Sequence, residues 1–227
     1  LLLLAIPALL ISCGPKKYNI EGKTTGDYEG KQVLLKDLEG TTVDSCLVED
    51  STFAFAGNVD DQSIYTVFLE RTRIPVFVQN GAIITADMTE GPARVSDNGG
   101  LNDIFTAITD KINESSQALN EKAQKLINEG MTYIEVHDSV KRDIEALYDI
   151  YRVGMTENKD NIVGAHILGM LANEMYSSLD KLDSVMAEVK YAGKIKAVTD
   201  LHAFLEKAET TKEGKMFVDF SGFDLEG

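Results

Sequence analysis

Cysteine is the residue in this chain whose type and setting most directly imply chemistry. Leu10-Ile11-Ser12-Cys13 closes an apolar run that begins at Leu1, and a small residue followed by cysteine after such a run is the pattern of a bacterial lipobox. The chemistry it implies is acylation of Cys13 after cleavage of the preceding segment. A bilayer span takes roughly 18 or more apolar residues, so the run reads as a targeting segment, not a transmembrane helix. The other reading, a buried N-terminal strand with a core cysteine, gives no role to the small residue before Cys13. With no initiating Met and no basic stretch ahead of the run, the chain is expected to have lost its true start.

Cys46, the second cysteine, lies in Thr42-Val43-Asp44-Ser45-Cys46-Leu47-Val48, which reads as a strand. With Cys13 lipidated it has no intramolecular partner. No Lys, Arg or His adjoins it to lower its pKa, so a buried, unreactive thiol is expected and a nucleophile is not. Of the three histidines, His137 stands between carboxylates in Glu135-Val136-His137-Asp138, but sequence neighbours on a helix do not share a face. His166 falls on an apolar helix and is expected to be a hydrogen-bonded core residue; His202 is expected at the surface. Asp180, Asp183 and Glu188 are spaced for solvated helix faces and not as an acid–base pair. No Cys-x-x-Cys, His-Glu-x-x-His, phosphate-cradling glycine loop or nucleophile elbow is present. No catalytic residue, metal site or cofactor is therefore assigned.

Lys+Arg 22 against Asp+Glu 37 gives a net charge of −15. Such a surface repels phosphate backbones and anionic lipid, which makes nucleic acid an unexpected partner and leaves acyl chains on Cys13 as the membrane anchor.

The elements that would position these groups fall into two kinds. Gly14-Pro15-Lys16-Lys17 reads as a tether. Short β-branched and aromatic runs then suggest strands over 18–24, 32–37, 42–49, 52–57, 64–71, 74–79, 82–88 and 93–96. Asn80-Gly81 carries the hairpin signature in which both turn residues take positive φ, with Leu38–Thr41 and Glu49–Ser51 as further turns. Ile74, Val76 and Val78 share one face, and Pro75, lacking a donor, requires its strand to sit at an edge or to start there. This is the pattern of an antiparallel sandwich or open barrel. Its aromatic residues (Tyr28, Phe53, Phe55, Tyr65, Phe68, Phe77) are expected in the core, with a ligand groove as the alternative.

From Asn98-Gly99-Gly100 the period becomes helical. One long helix runs from Leu101 to near Gly130. A capping box at Thr132-Tyr133-Ile134-Glu135 opens a second. A third over 161–175 is apolar nearly all round and is expected to be central. Ser177-Ser178-Leu179-Asp180 offers a cap for a fourth, and a fifth carries Ile195, Val198, Leu201, Phe204 and Leu205. The fold class is α+β: a β-module followed by a helical bundle. The domains are a signal segment (1–13), a tether (14–17), an all-β module (18–97), a helical region (98–209) and a final piece (210–227).

That last piece carries Gly214-Lys215, Asp219-Phe220 and Asp224-Leu225-Glu226-Gly227. Together with the lipobox, the opening Tyr18-Asn19-Ile20-Glu21-Gly22 and the junction Gly100-Leu101-Asn102-Asp103, it resembles Gram-negative envelope lipoproteins with a C-terminal thioredoxin-like domain (TlpA/ResA-type, alkyl-hydroperoxide-reductase superfamily). Val218 stands where that family usually has Pro. The resemblance implies an N-terminal β-module catalogued as a domain of unknown function, an outer-membrane lipoprotein, and a thiol–disulfide oxidoreductase whose redox cysteines would lie beyond Gly227. The residues present would tether and orient the redox domain and meet periplasmic partners. The alternative is a lipoprotein binding module for a small ligand or a partner protein.

Overall fold

The computed structural model describes residues 17–210. The stretch expected to be a signal segment, Cys13, and the stretch 211–227 expected to open a thioredoxin-like domain lie outside the described residues.

Eight strands form two four-stranded sheets: β1 (Tyr18–Lys23), β2 (Gln32–Lys36), β3 (Thr42–Leu47), β4 (Thr52–Gly57), β5 (Ser63–Leu69), β6 (Thr72–Val78), β7 (Ile83–Asp87) and β8 (Arg94–Ser96). The sheet orders are β4-β1-β7-β8 and β3-β2-β5-β6. Alternation decides which side chains face inward. Ile20, Phe53, Phe55 and Ile84 from one sheet meet Val33, Leu35, Val67 and Val76 from the other in a shared core. The result is a sandwich and not an open barrel. It departs from the expected antiparallel pattern at one pair, because β1 runs parallel to β7.

That departure follows from a turn the sequence misrepresents. β6 and β7 belong to different sheets, so Asn80-Gly81 does not close a hairpin. Only Gly81 takes a left-handed φ, +89°, while the Asn80 carboxamide is committed elsewhere. Its oxygen accepts from Val59 N–H at 3.0 Å and its nitrogen donates to the Val59 carbonyl at 2.6 Å. Among the described residues, two consecutive left-handed residues occur at Asn98-Gly99, φ 56° and 87°, and in the turn at Asp50 and Ser51, φ 51° and 59°, with reciprocal 2.9 Å hydrogen bonds between Glu49 and Thr52. Neither Asp50 nor Ser51 is glycine. The Glu29 carboxylate accepts from both of their N–H groups at 3.1 Å, which offsets the strain of placing non-glycine residues there. This turn closes the seam between edge strands β3 and β4.

The opposite seam, between edge strands β6 and β8, is closed by a helix. α1 (Leu101–Asn128) begins against both strands. Asn102, only 2% exposed, accepts from Phe77 N–H at 2.9 Å and donates to the Phe77 carbonyl at 2.7 Å. One turn later, the Thr106 hydroxyl donates to the Val95 carbonyl of β8 at 2.9 Å. Because Phe77 sends both backbone groups outward to Asn102, Pro75, two residues earlier, also faces away from β5. Its missing N–H therefore costs no ladder bond, and β6 is the edge strand that Pro75 requires.

Four further helices complete a layer on the outer face of the β6 sheet: α2 (Tyr133–Glu157), α3 (Ile162–Met175), α4 (Leu179–Glu188) and α5 (Lys196–Thr210). The capping box at Thr132 and Glu135 is present in both directions. Ser178 occupies the N-cap of α4, but its side chain makes no capping bond. α3 is the central helix: Ile162, Val163, Ile167, Leu168 and Leu171 are buried, and it packs against α1, α2 and α5. Ile64 and Phe77, from the outer face of β5 and β6, belong to this helical core. A second set of polar contacts reinforces the junction. Gln62 Oε1 accepts from Ile162 N–H at 3.0 Å, and the Tyr191 hydroxyl donates to Asp61 at 2.8 Å. Sandwich and helices keep separate cores, and Ile64, Phe77 and these polar contacts join the two layers.

Asn102→Ala would leave a buried N–H and carbonyl of Phe77 without partners, at roughly 1–3 kcal/mol each. The expected loss in urea unfolding is about 2–6 kcal/mol, against about 1–3 kcal/mol for Thr106→Val, which orphans a single carbonyl.

Candidate functional site

Where α1 crosses the β6–β8 seam it leaves a cleft of about 260 Å³. Ile74, Pro75, Pro92 and Phe105 give it an apolar wall, and Thr109 and Asn113 a polar one. Arg94 and Asp110 also line it, with one guanidinium nitrogen reaching both carboxylate oxygens at 3.2 and 3.0 Å. Both side chains are largely exposed, so this pair contributes at most about 1 kcal/mol. The lining offers a ring-sized apolar surface and hydrogen-bonding groups, with Arg94 and Asp110 as its titratable pair.

The helix that forms the cleft is held by a loop built for the purpose. The Asp97 carboxylate accepts from Asn102 N–H at 3.1 Å, Asn102 Nδ2 at 3.0 Å and Asp103 N–H at 3.2 Å. It thereby caps the helix and fixes the plane of the Asn102 amide. A Cβ on Gly100 would lie 2.4 Å from Asp97 Oδ2, so no side chain fits there without displacing the carboxylate.

Behind the cleft sits His166. Its ring meets Phe77 and Phe105 edge-on, at 5.4 and 5.2 Å between centroids. It is a core residue as expected. Its expected hydrogen bond is not seen among the described residues; the ring is only partly buried, and no buried side-chain nitrogen among them lacks a partner. Burial pushes its pKa down from 6.5 to about 4, so the ring is neutral at pH 7.

The remaining residues singled out in the sequence do not converge. Cys46 is half-buried on edge strand β3, and burial raises its thiol pKa, which makes it a poor nucleophile. His137 is exposed, 3.7 Å from Asp138. His202 bonds Asp183 at 2.8 Å across α4 and α5 and is partly screened from solvent. Asp180 and Glu188 lie on solvated faces. The aromatic residues of the strands do not share a groove: Phe53, Phe55 and Phe77 are buried in the cores, Phe68 lies under Lys36 and Arg73, and Tyr65 borders an open cleft of about 440 Å³ beside Lys194 and Thr199. Among the described residues no group of three or more His, Cys, Asp or Glu could hold a metal ion, and no helix is long and apolar enough to cross a membrane.

Sequence reasoning passed over Asn102, Thr106 and Asp97 as functional groups. The available signal was a polar residue directly after Leu101, at the start of an apolar stripe and behind a Gly-Gly pair.

Residues 18–103 match the model of a domain of unknown function, DUF4369. The match takes in all eight strands, Asp97 and Asn102, and ends within the first turn of α1. No curated protein and no solved structure matches the chain.

His166 makes stability depend on pH in a calculable direction. The unfolded ring takes up a proton near pH 6.5 and the folded one only near 4, so acid favours the unfolded state between those values. The linked stability is complete above about pH 6.5, falls as pH falls, and is gone below about 4, a span worth about 3 kcal/mol. His166→Phe should flatten the pH dependence of the urea midpoint over that interval.

Proposed function

We propose that this chain is the anchoring and spacing part of a lipid-anchored envelope thiol–disulfide oxidoreductase, with its DUF4369 domain and helical layer holding a thioredoxin-like domain at a set position. The observation that carries this reading is mechanical. The α1 clip and the Gln62–Ile162 and Asp61–Tyr191 bonds join sandwich and helices into one body. Such a body fixes the direction in which the chain leaves α5 relative to where it enters β1. A flexible linker would not orient a domain; a welded two-layer body does. The lipobox at Cys13 supplies the anchor in this reading, and the Gly214-Lys215 and Asp219-Phe220 pattern supplies the opening of the redox domain.

The competing reading is a lipoprotein binding module. The cleft between Pro75, Pro92 and Phe105 favours it and relocates the ligand from the aromatic strands to the β6–β8 seam.

Two outcomes test the leading reading. Cys13→Ala should release the protein from the membrane fraction in cells, and unchanged fractionation would refute the anchor. Residues 14–227 should reduce insulin no faster than buffer; turnover would place a redox centre inside this chain and overturn its spacer role.

A further inference from the structure

Of the two ends of the β3-β2-β5-β6 sheet, β6 lies against α1, whereas β3 is bordered in its sheet by β2 alone. Five of the six β3 residues are exposed, Val43 at 46% and Leu47 at 52% among them, and Cys46 is half-buried. The direction of its backbone groups follows from the residue after it. Val48 N–H donates to the Lys31 carbonyl and the Val48 carbonyl accepts from Gly30 N–H, both at 2.9 Å. Val48 and, by alternation, Cys46 and Asp44 therefore turn to β2, while Ser45 and Leu47 turn their N–H and carbonyl groups outward. A strand edge of this kind is a template for pairing with another chain.

Three features of this edge oppose such pairing, and two of them come from Asp44. Its Oδ1 accepts from Ser45 N–H at 2.8 Å, so the donor in the middle of the edge is already occupied. Asp44 also stands opposite Leu35, which is fully buried in the sandwich core. Directly opposite residues share a face, so the carboxylate is on the core-facing side of the sheet and keeps its water only while the edge stays open. A strand laid alongside would strip that water from an ion, which is costly. The third feature is the register: Leu35 pairs with Asp44 and Lys36 with Thr42, so Val43 is an extra residue that bulges the edge.

We infer that the β3 edge is a strand-pairing surface for a second copy of this chain, held closed by the Asp44 carboxylate. The edge is self-complementary. With Ser45 on a twofold axis, two antiparallel β3 strands exchange hydrogen bonds at Ser45 and set Val43 of each copy beside Leu47 of the other. The same pairing places the two Asp44 carboxylates diagonally across the core-facing side, where like charges repel. Removing the carboxylate frees the Ser45 donor, the hydration cost and the repulsion together. The device belongs to the sandwich alone, so failure of either test above leaves it standing.

Residues 14–227 keep every described element and omit the apolar run at the start. In sedimentation velocity this chain is expected to stay monomeric as its concentration rises. Asp44→Val should double the mass reversibly with concentration while far-UV circular dichroism keeps the wild-type form. Adding Ser45→Pro removes the central outward N–H without taking a bond from β2, and should restore the monomer; aggregation of a damaged fold would not respond to it. Asp138→Val, which removes an equal charge from an exposed position on α2, should leave the chain monomeric. An Asp44→Val chain that stays monomeric at every concentration would overturn the inference, as would association that survives Ser45→Pro. Wild-type dimers that Ser45→Pro dissociates would overturn it equally, because the edge would then pair with Asp44 in place.

Discussion

An edge strand leaves a row of backbone groups without partners, and β6 is such an edge with a proline in it. Everything beyond the sandwich depends on how that edge is answered. One carboxamide, that of Asn102, meets both backbone groups of Phe77 as a neighbouring strand would. The amide is buried, so its bonds form away from competing water, where an unmade one is costly. The next turn of the helix puts Thr106 on β8, so α1 holds the two sheets together across their open seam. The direction of α1 then sets where α2 returns, where α3 lies and where α5 ends.

The two seams are closed by different means with a shared economy. At β3–β4 the Asp50-Ser51 turn bends into the left-handed region, and the Glu29 carboxylate holds its exposed N–H groups. At β6–β8 the Asp97 carboxylate does comparable work for the first turn of α1. In both places a carboxylate gathers backbone donors, so part of the chain's large acidic excess has internal structural employment. Most of the rest lies on solvated faces of the helices and strands.

Much of this was legible in the sequence. Runs of β-branched and aromatic residues between turn residues located all eight strands, and the 3.6-residue period located five helices, because these patterns belong to a single element. Pro75 declared an edge for a reason internal to one residue. The misreading at Asn80-Gly81 shows the limit: local preference favoured a hairpin, but the Asn80 amide is held by Val59, 21 residues away, and the chain passes to the other sheet. Asn102 and Gln62 were illegible for the same cause, since their partners lie 25 and 100 residues distant and leave no trace in local pattern. His166 was read as core correctly from its helix, while the aromatic rings that surround it come from β6 and α1.

If the Asn102 clip makes sandwich and helices one cooperative body, native-state hydrogen exchange should register it. The account predicts that the most protected amides of β5 and of α3 exchange with the same free energy and the same denaturant dependence, through global unfolding alone. Helical amides of α3 that exchange through a separate, lower-energy opening while β5 stays protected would contradict it, and the body would be two.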